Sequence, residues 1–181
     1  MKVVRAEHAG VCYGVERALD MVRDAMDGDE DVFTIGPLIH NPRVVAQLKD
    51  HGVESIEGPA DVDHGIVVLR THGVEPSVVE ELDERGLSSI DATCPHVSRA
   101  QKAAADFAAQ GMTVLVIGRA SHPEVRGICA HAAGSAVVVA DASEIPADIA
   151  GPVGIVVQTT ENKSKLDEVV ADLRGRGIEP V

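Results

Sequence analysis

Seven residues in this chain have types and placements suited to chemistry. Cys12 opens the stretch "CYGVERA" and Cys94 opens "CPHVSRA", so Cys-x-x-Val-x-Arg-Ala occurs twice, 82 positions apart. A thiol in front of a helix is favoured as thiolate by the helix dipole, and thiolates are metal ligands and nucleophiles. The repetition favours a shared metal or cluster site over two unrelated packing residues. His40 in "GPLIHNPRVV" and His122 in "RASHPEVRG" occupy matching places in the same repeat, with Asn41 inserted before the first proline. His72 ends the run "VVLRTH" just before Gly73, where a turn needs backbone freedom, and joins them as a candidate anion or substrate contact. Glu124 follows His122 by two positions; a carboxylate there either favours a helix N-terminus or handles a proton. Thr159 in "VVQTT" either caps a helix or contacts a ligand. Two thiolates with a nearby imidazole would also suit a mononuclear zinc ion.

Other residues of the same types carry blander expectations. Cys129 lies within the apparent helix "PEVRGICAHA" beside Val125 and Ile128, and is expected to pack. His8, His51, His64, His96 and His131 are expected on the surface or satisfied in the core. An odd number of cysteines without a Cys-x-x-Cys pair disfavours a disulfide framework and a zinc ribbon. Neither a Gly-x-Gly-x-x-Gly nor a phosphate-binding P-loop occurs, so nucleotide binding lacks its usual signal.

The elements that must position these residues also repeat. Ile35 and Gly36 align with Ile117 and Gly118, and "GIVVLRTHGV" from Gly65 resembles "GIVVQTTENK" from Gly154. Each unit reads as helix, strand, helix, strand, helix. The helix after Cys94 places Val97, Ala100, Ala104, Phe107 and Ala108 at helical spacing and stops at Gly111; "PSVVEELDERG" stops likewise at Gly86. The expected fold is α/β: two pseudo-repeated lobes with mostly parallel sheets, the first over residues 1–95 and the second over 96–181. In such sheets ligands collect at the carboxyl ends of strands and at helix N-termini, where these seven residues fall.

Composition sets wider bounds. Val, Ile, Leu and Ala dominate an apolar fraction of 45%, with two Phe, one Tyr and no Trp, the usual content of buried parallel strands. A formal charge of −13 with 16 unclustered Lys and Arg argues against nucleic acid and anionic membranes as partners. No secretory signal and no long apolar run are evident, so a cytoplasmic protein is expected.

The six motifs "GVCYGVERA", "GPLIHNPRVV", "RTHGV", "DATCPHV", "HPEVRG" and "VVQTT", in this order, resemble the IspH/LytB family of 4-hydroxy-3-methylbut-2-enyl diphosphate reductases. The resemblance implies a trefoil of three α/β lobes around an oxygen-sensitive 4Fe-4S cluster held by three cysteines. Cys12 and Cys94 would be two of these ligands; the third, and the third lobe, would come from outside this chain. It implies that His40, His72 and His122 contact the substrate, chiefly its diphosphate, that Glu124 delivers protons and that Thr159 positions the alcohol. Ferredoxin or flavodoxin would supply two electrons, and isopentenyl and dimethylallyl diphosphate would be the products. A two-lobe piece would expose apolar surface and tend to associate, and could act as an inactive fragment or subunit binding a phosphorylated small molecule or a partner chain.

Overall fold

The computed structural model describes residues 3–4 and 10–181; His8 lies outside the described residues. Two parallel sheets are built from equivalent runs of elements. The first run is α1 (Tyr13–Met26), β1 (Val32–Ile35), α2 (Pro42–Asp50), β2 (Glu54–Ile56), β3 (Ile66–Leu69), α3 (Pro76–Glu84) and β4 (Ser88–Asp91). The second is α4 (Pro95–Ala109), β5 (Thr113–Ile117), α5 (Pro123–His131), β6 (Ala136–Val139), β7 (Val153–Val157) and α6 (Lys163–Gly175). Strand order is β2-β1-β3-β4 in one sheet and β6-β5-β7 in the other, every pairing parallel. The fold class is therefore α/β, as the sequence indicates. The five-element pattern has two strands; the first run contains two more, β2 and β4, and the second contains one more, β6. In β2 two of the three residues are exposed, so it carries no apolar run to announce it.

Alternation along the strands divides each sheet's side chains between two cores, because successive residues point to opposite faces. Val32 and Val68 pack under α1 and α2 with Ala18, Val22 and Leu38, while Phe33, Ile35, Val67 and Leu69 pack with Leu82 of α3. In the second sheet Val114, Val116 and Val156 meet Ala104, Val125 and Ile128 of α4 and α5, and Leu115, Ile117 and Val153 meet Val169 and Leu173 of α6. Cys129 belongs to the periphery of the former cluster, and burial pushes its thiol pKa up, in keeping with a packing residue. Among the described residues no helix is long and apolar enough to cross a membrane.

Strand register corrects one part of the repeat. Ile35 pairs with Leu69 and its counterpart Ile117 pairs with Val157, so Leu69 is equivalent to Val157 and Thr71 to Thr159. Matching "GIVV" letters instead places Leu69 over Gln158, one residue out. Both stretches are apolar throughout, and only pairing with the central strand reveals which face each residue takes. On the outer edge of β7, Val181 donates to Val153 O and accepts from Ile155 N, each at 2.9 Å.

Gly154 in β7 allows α4 to lie against the sheet: a β-carbon there would fall 2.3 Å from the Phe107 ring. Gly154→Ala is expected to destabilise the chain by about 1–3 kcal/mol through overpacking, and Phe107→Leu in the same chain to recover part of the loss. Urea unfolding of both variants measures this; an unchanged midpoint for Gly154→Ala would remove the overpacking argument.

Candidate functional site

Both sheets reverse direction next to their central strand. From β1 the chain moves outward to β2 and then returns to place β3 on the other side; β5, β6 and β7 do the same. The crevice at such a switch point is bounded by the loops leaving the two flanking strands. In the first sheet these loops carry His40 and His72, and in the second they carry His122 with Glu124 and Thr159.

Proline fixes how several of these side chains are presented. Pro42, Pro95 and Pro123 stand at the first turns of α2, α4 and α5, where the missing N–H costs nothing and the ring favours helical φ. A residue before proline is driven to extended backbone, and Cys94 and His122 adopt ψ of 132° and 134° as N-caps. His122 Nδ1 accepts from the Glu124 N–H at 3.2 Å. Its neutral ring therefore carries the proton on Nε2, leaving a donor free.

The three histidines converge. Ring centroids are 4.0 Å apart for His40 and His72, 5.3 Å for His40 and His122, and 5.7 Å for His72 and His122. His40 is exposed, and the other two are partly buried. Burial, then the positive charges of His40, His122 and Arg70, hold the His72 pKa down to about 4. Burial also lowers that of His122, opposed by Glu124 and reinforced by His40, Arg119 and Arg70. His72 and His122, held neutral near half-buried Arg70, form with His40 a cluster of imidazoles that could gain charge beside an anion.

Glu124 is buried, 1% exposed, and its carboxylate faces Thr159. Thr159 N donates to Oε1 at 2.7 Å and Thr159 Oγ1 donates to Oε2 at 3.0 Å. In the first lobe the equivalent Thr71 donates through N and Oγ1 to the carbonyl of Leu38, at 3.1 and 2.9 Å. The same clamp thus closes both switch points, with a carboxylate in the second lobe where the first has a peptide carbonyl. Thr159 caps no helix; α6 begins after Asn162.

Cys12 and Cys94 are the N-caps of α1 and α4, and neither caps through its side chain, so both sulfurs are free of that duty. A β-carbon at Gly14 would fall 2.7 Å from Cys94 Sγ, so the start of α1 lies directly against the second thiol. Arg17 on α1 donates to the carbonyls of Thr93 and Asp91 at 3.2 and 3.3 Å, and Cys94 N donates to Thr71 O at 2.9 Å. The cysteine and histidine loops are therefore joined by main-chain bonds. Two thiols at helix N-termini form a donor set suited to thiolate-loving iron, and Gly14 provides the close approach. Among the described residues no three His, Cys, Asp or Glu side chains converge as metal ligands.

Residue-type reasoning missed several supports. Gln158 is 2% exposed; its Oε1 accepts from Arg119 N at 3.1 Å and its Nε2 donates to Thr160 Oγ1 at 2.8 Å, fixing the loop on either side of the clamp. Thr71, Arg70 and Gly14 likewise act through backbone and packing. Their one sequence signal is that each lies inside a repeated motif. Of the histidines expected to be bland, four lie among the described residues: His51 and His131 bond nearby carbonyls, His64 bonds Asp31 and Asp63 at the surface, and His96 is exposed.

Known proteins share the sequence and fold of this chain. The "LytB protein" family model matches residues 3–179. The 4-hydroxy-3-methylbut-2-enyl diphosphate reductase of Geotalea daltonii is 39% identical over 171 residues, which are 94% of this chain and 61% of that protein. The enzyme of the same name from Trichlorobacter lovleyi is 39% identical, over 99% of this chain and 64% of its own length. A solved structure of (E)-4-hydroxy-3-methyl-but-2-enyl diphosphate reductase, the terminal enzyme of the non-mevalonate pathway, superposes with a TM-score of 0.86 at 35% identity, over 99% of this chain and 66% of that one. The corresponding reductase from Plasmodium falciparum gives a TM-score of 0.85 at 26% identity, over 95% and 56%. The chain thus spans less than two thirds of the length of those two curated relatives. With matched motifs, a duplicated α/β fold and a family model covering nearly all of its residues, the chain belongs to the LytB family.

Proposed function

We propose that this chain supplies two lobes, residues 1–95 and 96–181, of a reductase that removes the allylic hydroxyl of 4-hydroxy-3-methylbut-2-enyl diphosphate. The observation that carries the reading is the convergence of His40, His72 and His122 within 6 Å of one another. Such a group of imidazoles can surround a diphosphate with donors, and charge-assisted bonds strengthen as the rings become protonated. Glu124, buried two residues after His122, is the proton carrier, and Thr159 orients it through two hydrogen bonds.

The reaction consumes two electrons and two protons: the allylic C–O bond breaks, the oxygen departs as water, and a C–H bond forms in isopentenyl or dimethylallyl diphosphate. Cys12 and Cys94 would hold two corners of a 4Fe-4S cluster, with the third thiolate from a chain or segment carrying another lobe. When bound, the cluster supplies electrons one at a time from a ferredoxin or flavodoxin. The chain's own residues bind the diphosphate, place the hydroxyl near Glu124 and Thr159, and protonate it so that it leaves as water rather than hydroxide.

Anaerobic reconstitution with a polypeptide carrying the remaining lobe is expected to give a brown assembly with about four iron and four sulfide per site. Gly14→Ala, which crowds Cys94 Sγ, is expected to lower both counts at unchanged secondary structure, and Glu124→Gln to keep the cluster while losing turnover about 100-fold or more. A colourless, iron-free product from the intact pair would refute the cluster reading. Retention of the cluster without turnover by the unaltered pair would favour instead a subunit that binds a phosphorylated small molecule.

Proton linkage gives a second test. His72 and His122 are held neutral at pH 7, and a bound anion raises their pKa values, so binding takes up protons. Diphosphate affinity of the chain is expected to strengthen as pH falls from about 7.5 towards 5.5, with heats that depend on the buffer's ionisation enthalpy. His40→Ala combined with His122→Ala should abolish most of the binding. Binding without proton uptake, or equal binding by that double variant, would take the histidines out of the site.

A further inference from the structure

Among the described residues, one buried side-chain nitrogen has no hydrogen-bond partner. Gln101 on α4 is 7% exposed, and its Nε2 is buried with no acceptor within hydrogen-bond reach. Buried donors are nearly always paired, and an unmet one disfavours the folded state. Two glycines border this amide. A β-carbon at Gly73 would fall 2.3 Å from Nε2, and one at Gly127 would fall 3.0 Å from it. Gly73 belongs to the turn that carries His72, whereas Gly127 lies in α5, the helix that His122 caps and that contains Glu124. The carbonyls of His72 and Val74 each lie 3.8 Å from the Gly127 β-carbon position and border the same space. An amide from α4 is therefore wedged between two parts of the histidine cluster.

The turn is gripped on its other side as well. Gly73 N donates to Arg70 O at 2.9 Å, and Arg70 Nε donates back to Gly73 O at 3.3 Å. Beyond it, Arg126 of α5 pairs with Glu75 at 3.2 Å. Methionine, with similar length and no donor, could fill the volume of Gln101, so packing does not account for an amide. We infer that Gln101 is a positioning residue for His72, its free N–H kept for the His72 or Val74 carbonyl once an anion draws the His72 ring towards His40 and His122. This rests on the diphosphate reading above. Gln101 does not touch the anion; it fixes the turn from which His72 reaches it.

Calorimetry with inorganic diphosphate and thermal unfolding, both on the full chain, test this with Gln101→Met, His72→Ala, His40→Ala and the two doubles that combine Gln101→Met with each. Gln101→Met is expected to leave the melting temperature unchanged or raise it, because an unmet buried donor is removed, yet to weaken diphosphate binding about tenfold. The loss should persist beside His40→Ala and vanish beside His72→Ala. A purely structural role would give the opposite sign on stability, or a loss indifferent to His72. Equal affinity of the unaltered chain and Gln101→Met, or the same loss in both histidine backgrounds, overturns the inference and leaves the diphosphate reading standing. Failure of the unaltered chain to bind diphosphate overturns that reading and the inference with it.

Discussion

When the first strand of a parallel unit is flanked by the next two strands in sequence, one on each side, the connection that leaves it and the one that returns past it run in opposite directions across the sheet. β1 and β5 are in this position, and the rest of the site depends on it. At their carboxyl ends the outgoing and returning loops separate, and the crevice between them is the one place where both can present side chains without burying unpaired backbone. Helices α2 and α5 begin there, so the crevice also receives their positive ends. Duplication of the unit produces two such crevices, and main-chain bonds from Thr71 to both Leu38 and Cys94 connect the first of them to the start of the second lobe.

Within that frame the electrostatics divide into two kinds. Around the histidines, partial burial and neighbouring positive charge favour the neutral forms of His72 and His122, and Arg70 contributes to that positive potential. Around Glu124 the protein provides two short donors from Thr159, so a buried carboxylate is stabilised by hydrogen bonds rather than by a cation. The Leu38–Thr71 and Glu124–Thr159 clamps use the same pair of threonine donors, N and Oγ1, on different acceptors: one peptide oxygen in the first lobe and the two oxygens of a side-chain carboxylate in the second.

The parts of this arrangement that were legible in the sequence are those that repeat as residue types. Cys12 with Cys94 and His40 with His122 mark equivalent helix starts, and the α/β class follows from apolar runs alternating with amphipathic segments. The one-residue offset between β3 and β7 was not legible, because an all-apolar strand carries no face signal. That offset hid the equivalence of Thr71 and Thr159, and so the clamp on Glu124. Gln101, Gln158 and Gly14 were missed for a different reason. Each matters through what lies beside it in space, a turn, a loop or a sulfur from a distant part of the chain, and amide or glycine identity alone gives no hint of such a neighbour.

The placement of the three histidines on two lobes has a mechanical consequence. His40 and His72 ride on loops of one sheet, 4.0 Å apart. His122 rides on the other sheet, and its 5.3 and 5.7 Å separations span the joint between the lobes. A displacement of one sheet against the other would alter those two distances. An anion held at all three corners would therefore tie the two sheets together.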